Sequence, residues 1–401
     1  MYNLAEELKN KNKLYDLFFM LLIFSLFFSF FLPNLFALIL GVFVCILPKQ
    51  QYIFKSNFFL FFVAATLVII LNSFYYNSMV DNYDNILKLV LVLSVMFLTS
   101  LTSNRKKIEN AFIIITAIIV IISCLKIFLY SYDHEDFILS NGSIVSELLV
   151  LERPYFGLVV TLANFIFLKR AHQKTSAAYD YYLLYFLFTA FNLYISARLG
   201  FVLSVALLVI FFIKNITNRK RNKILFILVL GLLFSILLGL SNNLIERMRF
   251  TNDFSSSVKI MKDYEPRYVI WPCAVSIISS QDYSLVTGLK NYQYLENKLI
   301  DCYKKTIVNP DKKQFFLTKK FNTHNQFLDF LLVAGFIPFI LLLAVFVTVF
   351  ISKSNFEMKI VFLLFLAFFL VENVLYRQLG CYLFGIFAVL YTSSKEINEK
   401  A

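Results

Sequence analysis

An all-α polytopic membrane protein is the fold class this sequence predicts, and three observations predict it. Of 401 residues, 59% are hydrophobic and 16% are charged, against about 45–50% apolar and about 25% charged in a soluble globular chain. Phe occurs 48 times and Tyr 23 times beside only ten Gly and seven Pro, which leaves little sequence for loops. The apolar residues gather in runs near the roughly 20 residues that cross a hydrocarbon core, where only helices and closed barrels satisfy the backbone. Together these exclude a soluble enzyme, a disordered chain and a secreted disulfide scaffold.

In chain order, twelve helical spans are expected at about 15–32, 35–48, 57–76, 84–102, 108–130, 155–171, 179–196, 199–213, 223–241, 326–350, 357–375 and 379–394. The second, eighth and twelfth are short enough to be tilted or re-entrant. The first run has no small-residue cleavage site and leads past Pro33-Asn34 into the second, so it reads as a retained span. Three regions follow: spans one to nine within 1–241, a large loop over 242–325, and the last three spans with a tail over 326–401.

The formal charge of +13 belongs to topology rather than to a nucleic-acid partner. Basic clusters recur at every second connection: Lys9/Lys11/Lys13, Lys49/Lys55, Arg105/Lys106/Lys107, Lys169/Arg170/Lys174, the 214–223 cluster, Lys353/Lys359 and Lys395/Lys400. The alternate connections hold single arginines, Arg153, Arg198 and Arg377, and 77–84 holds none. Lys and Arg concentrate in cytoplasmic loops, so both termini are expected inside. The three arginines then sit at outer helix mouths, as interfacial anchors or as parts of an anion site.

The loop over 242–325 also falls outside. It carries Trp271, the only Trp, two of the five Cys, and thirteen Lys/Arg against eight Asp/Glu. Unstructured connections of this length are uncommon and usually functional. Glu265-Pro266-Arg267 opens a helical pattern (Tyr268, Val269, Trp271, Val275, Ile278), with Pro266 near its first turn. Gly288 ends a short extended stretch, 292–305 reads as an amphipathic helix, and 312–320 as a basic, mobile stretch.

Candidate chemistry gathers at the outer boundary. Of three His, His172 lies in a basic loop and His134 in the acidic segment 133–136, a solvated turn or a cation site. His324 instead stands where the loop re-enters the membrane, before Asn325 and Gln326. Imidazole titrates near neutrality and can take a proton from a sugar hydroxyl; the alternative role is a helix-entry residue. Arg198 in Ser196-Ala197-Arg198-Leu199-Gly200, and Arg267, offer guanidinium forks that bind phosphate oxygens bidentately. Their alternatives are a snorkelling helix end and an ion pair with Glu265 or Asp263. Glu372, an acid near membrane depth, is functional or paired with a partner such as Arg377. Cys273 and Cys302 are either bonded or free thiols. No metal-ligand spacing and no nucleotide or nucleotide-sugar motif accompanies these residues, so no metal and no cofactor are expected.

Read in order, these segments resemble the O-antigen ligase/polymerase superfamily of integral-membrane glycosyltransferases. Ser-x-Arg-x-Gly at Arg198 looks like its Ser/Thr-x-Arg element. Arg267-Tyr-Val-Ile-Trp271-Pro-Cys-Ala274, followed by Gly288, looks like its Arg-x-x-x-Trp-x-x-Ala helix and Gly turn. His324-Asn325, nine residues, then Gly335, looks like its His-Asn-x9-Gly-x-x-Gly motif, with Pro338 replacing the last Gly. Arg153-Pro154-Tyr155-Phe156-Gly157 and Glu372-Asn373 also fit.

The resemblance implies a membrane glycosyltransferase (GT-C-like) architecture in the bacterial inner membrane, with its site facing the periplasm. It implies transfer of a glycan from undecaprenyl pyrophosphate to an acceptor hydroxyl, without nucleotide sugar or metal. His324 would act as base while Arg198 and Arg267 neutralise the diphosphate, the three forming one site. Arg153, Asn325, Trp271 and Tyr268 would bind substrate. The partners are the lipid-linked donor, the bilayer, and either lipid A–core (a ligase) or a second lipid-linked glycan (a polymerase). A polysaccharide flippase fits less well, because the polar groups collect at the outer mouth rather than the midplane.

Overall fold

The structure, a computed structural model, describes residues 2–44, 53–134, 142–173, 178–215 and 265–392. The expected ninth span, the first part of the large loop, and Glu135 and Asp136 of the acidic segment lie outside the described residues. In chain order the helices are α1 (Tyr2–Ser25), α2 (Leu32–Val44), α3 (Asn57–Tyr75), α4 (Met79–Ser100), α5 (Arg105–Asp133), α6 (Gly142–Leu148), α7 (Arg153–Gln173), α8 (Ala178–Tyr194) and α9 (Arg198–Asn215). After the gap come α10 (Arg267–Ile278), α11 (Tyr292–Thr306), α12 (Pro310–Lys319), α13 (Gln326–Ala334), α14 (Phe336–Ile351), α15 (Phe356–Val371) and α16 (Gln378–Leu390). No strand is formed among the described residues.

Helices α3, α4 and α5 are long and apolar enough to cross a membrane, and α2, α10, α14 and α16 are shorter apolar helices. Large apolar side chains such as Leu71, Ile121 and Phe128 remain exposed along these helices, a pattern that suits lipid contact. The chain therefore fits a helical membrane protein, and the full count of twelve spans rests on the sequence.

Two corrections concern the loop and its return. The stretch 312–320, expected to be mobile, is the helix α12 with its C-cap at Lys320. Asn309 caps it by accepting from the Lys312 amide at 3.0 Å, and Pro310 supplies a pre-set first turn. Lys319 is exposed and Lys312 and Lys313 are partly so, while Phe316 is buried against Tyr303. The single span expected over 326–350 is two helices, α13 and α14, broken at Gly335.

Gly335 breaks the helix because the backbone there turns to φ +89 and approaches another chain segment. A Cβ at this position would lie 2.1 Å from the Val286 carbonyl oxygen. Gly288, at φ +67, makes the reciprocal approach, where a Cβ would lie 2.5 Å from Val333 O. Three backbone bonds join the two segments: Leu289 N to Leu332 O (2.8 Å), Lys290 N to Val333 O (3.1 Å) and Phe336 N to Leu285 O (2.8 Å). A side chain has no room at either position, and Gly bears positive φ without strain, so the loop is locked to the α13–α14 junction at two glycines.

The fold divides into two compact units: Met1–Leu22, Ser29–Arg105 and Glu265–Ala401 form one, and Ile23–Phe28 and Lys106–Tyr264 the other. In the first, α14 packs on α3 and α16 on α4, around an aromatic cluster of Phe62, Phe346, Phe362, Phe369 and Phe384. The loop helices α10 and α11 are bonded covalently by Cys273–Cys302 over a core that includes Ile270, Leu295, Leu299 and Tyr303. In the second, α7 is buried along most of its length against α8 and α9. Gly157 and Gly200 let α7 and α9 touch backbone to backbone, and Thr161 donates to Gly200 O at 3.1 Å. Small residues and short interhelical hydrogen bonds are the usual means of packing helices in lipid.

Candidate functional site

The turn that carries His324 is fixed from both ends. Asn325 caps α13 by accepting from the Leu328 amide at 2.9 Å, and its own amide donates to Leu370 O at the end of α15 at 3.0 Å. His324 adopts φ +45, a left-handed conformation uncommon outside Gly but more accessible to Asn, Asp and His than to other residues. Its amide donates to Asn322 Oδ1 at 3.0 Å, which closes the turn locally. The imidazole is thus held at the place where α13 begins and α15 stops.

Glu372 stands directly after α15 and bridges two cationic or proton-bearing groups. His324 Nδ1 lies 2.9 Å from Glu372 Oε2, and Arg267 Nη2 donates to Glu372 Oε1 at 2.7 Å. The carboxylate therefore presents one oxygen to each. Arg267 Nε and Nη2 also donate to Val371 O, at 3.1 and 2.8 Å, and Nη1 donates to Glu265 Oε1 at 2.6 Å. Of the five N–H groups on a guanidinium, these contacts engage four. A carboxylate offers only acceptors, which selects the His324 tautomer carrying its proton on Nδ1 and leaves the Nε2 lone pair as a base.

Behind this array lies a buried polar network. Thr323, fully buried, shares its hydroxyl with Asn373 Oδ1 (3.1 Å), Asp329 Oδ1 (3.2 Å) and Asn325 O (3.1 Å). Asn373 Nδ2 donates to Asp329 Oδ1 at 3.1 Å, and the Leu375 amide donates to Gln326 Oε1 at 2.8 Å. Tyr292, at the start of α11, hydrogen-bonds Asp329; burial, and then the Asp329 charge, push its hydroxyl pKa well up, so it stays protonated. Trp271 Nε1 donates to Thr323 O at 3.1 Å. Buried polar groups cost free energy unless paired, and here each pairing ties His324 or Glu372 to the rigid helices.

The sequence-predicted residues divide between the two units. His324, Arg267, Asn325, Trp271 and Tyr268 lie in the first, where Glu372 joins His324 to Arg267. Trp271 and Asn325 spend their polar atoms holding the His324 turn, while Tyr268 is exposed. Arg198 and Arg153 lie in the second unit, each as the first residue of its helix, α9 and α7. Arg198 follows Ser196, whose φ is +57, and its side chain is exposed. His134, just past the end of α5, and His172, the next-to-last residue of α7, each bond through Nδ1 to the carbonyl four residues back. Glu372 takes Arg267 and His324 as partners in place of the expected Arg377, because α15 ends at Val371 and turns its carboxylate toward α10. Asp329 and Thr323 escaped the sequence reading, and Asn373 entered it only beside Glu372; polar Gln326 and Asp329 three apart in the first turn of an apolar helix were the available signal.

No cluster of three or more His, Cys, Asp or Glu with metal-binding geometry occurs among the described residues. The arrangement is instead that of an imidazole oriented by a carboxylate, suited to proton transfer from a hydroxyl.

The family model described as O-antigen ligase matches residues 183–343. Over this stretch, which contains Arg198, Arg267, Trp271, Gly288, His324 and Gly335, the chain is similar to that family, and the similarity supports the superfamily read from the motifs and an O-antigen ligase/polymerase-type role. A search of curated proteins returns no match.

Proposed function

We propose that this chain is a metal-independent glycosyltransferase of the O-antigen ligase type in the bacterial inner membrane. It moves a glycan from undecaprenyl pyrophosphate to a hydroxyl of lipid A–core at the periplasmic face. The observation that carries the proposal is the Glu372 bridge between His324 and Arg267.

The acceptor hydroxyl must lose a proton as it attacks the anomeric carbon, and the pyrophosphate must leave with its charge balanced. In this reading His324 Nε2 takes the proton while Glu372 stabilises the imidazolium that forms. Arg267 keeps Glu372 in place, so it acts chiefly as a positioning residue, and its fifth N–H is left for a phosphate oxygen. The expected diphosphate contacts of Arg198 and Arg153 rest on their motifs and on guanidinium chemistry. No side chain becomes covalently attached to the sugar.

The test is transfer from a purified undecaprenyl-pyrophosphate glycan to lipid A–core in the presence of EDTA. Wild-type protein should transfer, and His324→Ala should lose about 10²–10⁴-fold in rate with donor binding retained. A folded His324→Ala that keeps full activity removes the base; loss in EDTA restored by a divalent cation removes the metal-free mechanism.

A further inference from the structure

A second concave site lies on the same unit as His324, formed where the turn after α3 meets the 281–294 segment of the loop. It is a groove of about 550 Å³, within the roughly 300–1,000 Å³ of small-ligand sites. Three tyrosines, Tyr76, Tyr283 and Tyr294, line it together with Gln281, Asp282 and Thr287. We propose that this groove is a carbohydrate-binding subsite that grips uncharged sugar rings of the glycan through their hydroxyls and their apolar faces.

Its chemistry suits a polyol better than a diphosphate. Pyranose rings offer an apolar C–H face for an aromatic ring and vicinal hydroxyls for amides and carboxylates. Tyr294 and Tyr283 remain partly exposed, and Gln281 is exposed at the rim, where its amide can reach a ligand. Asp282 is held ready: Lys298 donates to its Oδ2 at 2.5 Å and the Tyr294 hydroxyl at 3.2 Å. Lys298 first, and then Tyr294, hold its carboxyl below the usual carboxylate range, so it stays an acceptor for sugar hydroxyls. The cations are already engaged, Lys298 by Asp282 and Lys290 over the Tyr76 ring at 4.7 Å.

Thr287 also lines the groove, and its Oγ1 is buried with no hydrogen-bond partner among the described residues, a costly state for a hydroxyl.

The groove is also rigid and wired to the candidate base. Lys290, which lines it, stands at φ +78, and its carbonyl accepts from Ser78 Oγ at 3.0 Å and Asn82 Nδ2 at 2.9 Å. The Tyr292 amide donates to Asn82 Oδ1 at 3.2 Å, and Tyr292 continues through Asp329 to Thr323, the neighbour of His324. Sugar bound in the groove therefore rests on the same framework that orients the imidazole.

This subsite rests on the glycan-transfer reading, and the experiment separates the two. Full-length protein in detergent is titrated with two phosphate-free oligosaccharides, one released from the donor glycan and one from the lipid A–core acceptor, by saturation-transfer NMR. Binding of either supports the subsite and tells which substrate it serves. Gln281→Ala and Asp282→Asn, at exposed positions, should each weaken that binding by about tenfold and raise the corresponding KM with little change in kcat. His324→Ala should bind the oligosaccharide normally. Absence of binding, binding untouched by both substitutions, or displacement by sugar-free undecaprenyl pyrophosphate overturns the subsite. Sugar binding without any transfer by wild-type protein removes the proposed function and leaves the subsite standing.

Discussion

His324 Nδ1 and Glu372 Oε2 are 2.9 Å apart although 48 residues separate them in the chain. The contact forms because α13 starts and α15 stops at one level: Asn325 caps the first and donates to the Leu370 carbonyl in the last turn of the second. A histidine so placed has one nitrogen committed to a carboxylate and one available for chemistry. Removing the carboxylate should therefore change the tautomer and orientation of the ring without removing the ring.

Glu372→Gln tests that dependence. The substitution keeps shape but replaces a charge with an amide that must satisfy both Arg267 and His324. Transfer should fall by about 10²-fold or more in kcat, while donor KM moves little. Steady-state kinetics on protein of verified folded fraction checks this, and wild-type kcat in Glu372→Gln would detach the carboxylate from the mechanism.

Gly335→Ala should destabilise the fold by more than about 2 kcal/mol, since a Cβ 2.1 Å from Val286 O adds a clash to a backbone region nearly restricted to Gly. Gly41→Ala is the control. It sits inside α2 with nothing within 4 Å of its Cβ, so alanine should be neutral or stabilising by about 0.5–1 kcal/mol. Thermal midpoints in detergent distinguish the two; equal midpoints would mean that the Gly335 break is not needed for packing.

Much of this arrangement was legible in the sequence because local rules decide it. Pro266 before an apolar repeat marks α10, and the amphipathic run 292–305 marks α11, whose cap in the structure is Asn291. Asn325 followed by Gln326 and an apolar run reads as the start of a helix, and α13 begins there with Asn325 as its cap. The break at Gly335 was not legible, since an apolar stretch reads the same whether it is one helix or two. The fate of Glu372 was equally hidden: its partners come from 48 and 105 residues away, and sequence proximity favours Arg377. The basic stretch before Lys320 looked mobile because its charges mask one decisive aromatic, Phe316, that anchors it.

The Cys273–Cys302 bond closes a loop of 29-residue separation. Chain-entropy arguments assign such a loop about 3–4 kcal/mol. Reduction, or the double substitution to Ser, should lower the thermal midpoint and loosen α10, and with it the Trp271 contact to Thr323 O. Maleimide should label these two cysteines only after reduction. Exposed Cys124 labels in either state, so the deciding outcome is labelling at Cys273 or Cys302 in the untreated protein, which would show free thiols instead.

Arg267→Lys separates two roles for the guanidinium. As a direct phosphate ligand, Arg267 would be needed to hold the donor, and its loss would raise donor KM. As the group that fixes Glu372, it would be needed for the competence of His324, and its loss would lower kcat. The geometry favours the second, because Nε, Nη1 and Nη2 already donate to Val371 O, Glu265 and Glu372. A lysine brings one compact charge and cannot span three acceptors in fixed directions. Arg267→Lys should therefore lose kcat by an amount close to that of Glu372→Gln, and the double variant should lose little more, since residues acting as a unit are strongly non-additive. A rise in donor KM at unchanged kcat would return Arg267 to the diphosphate.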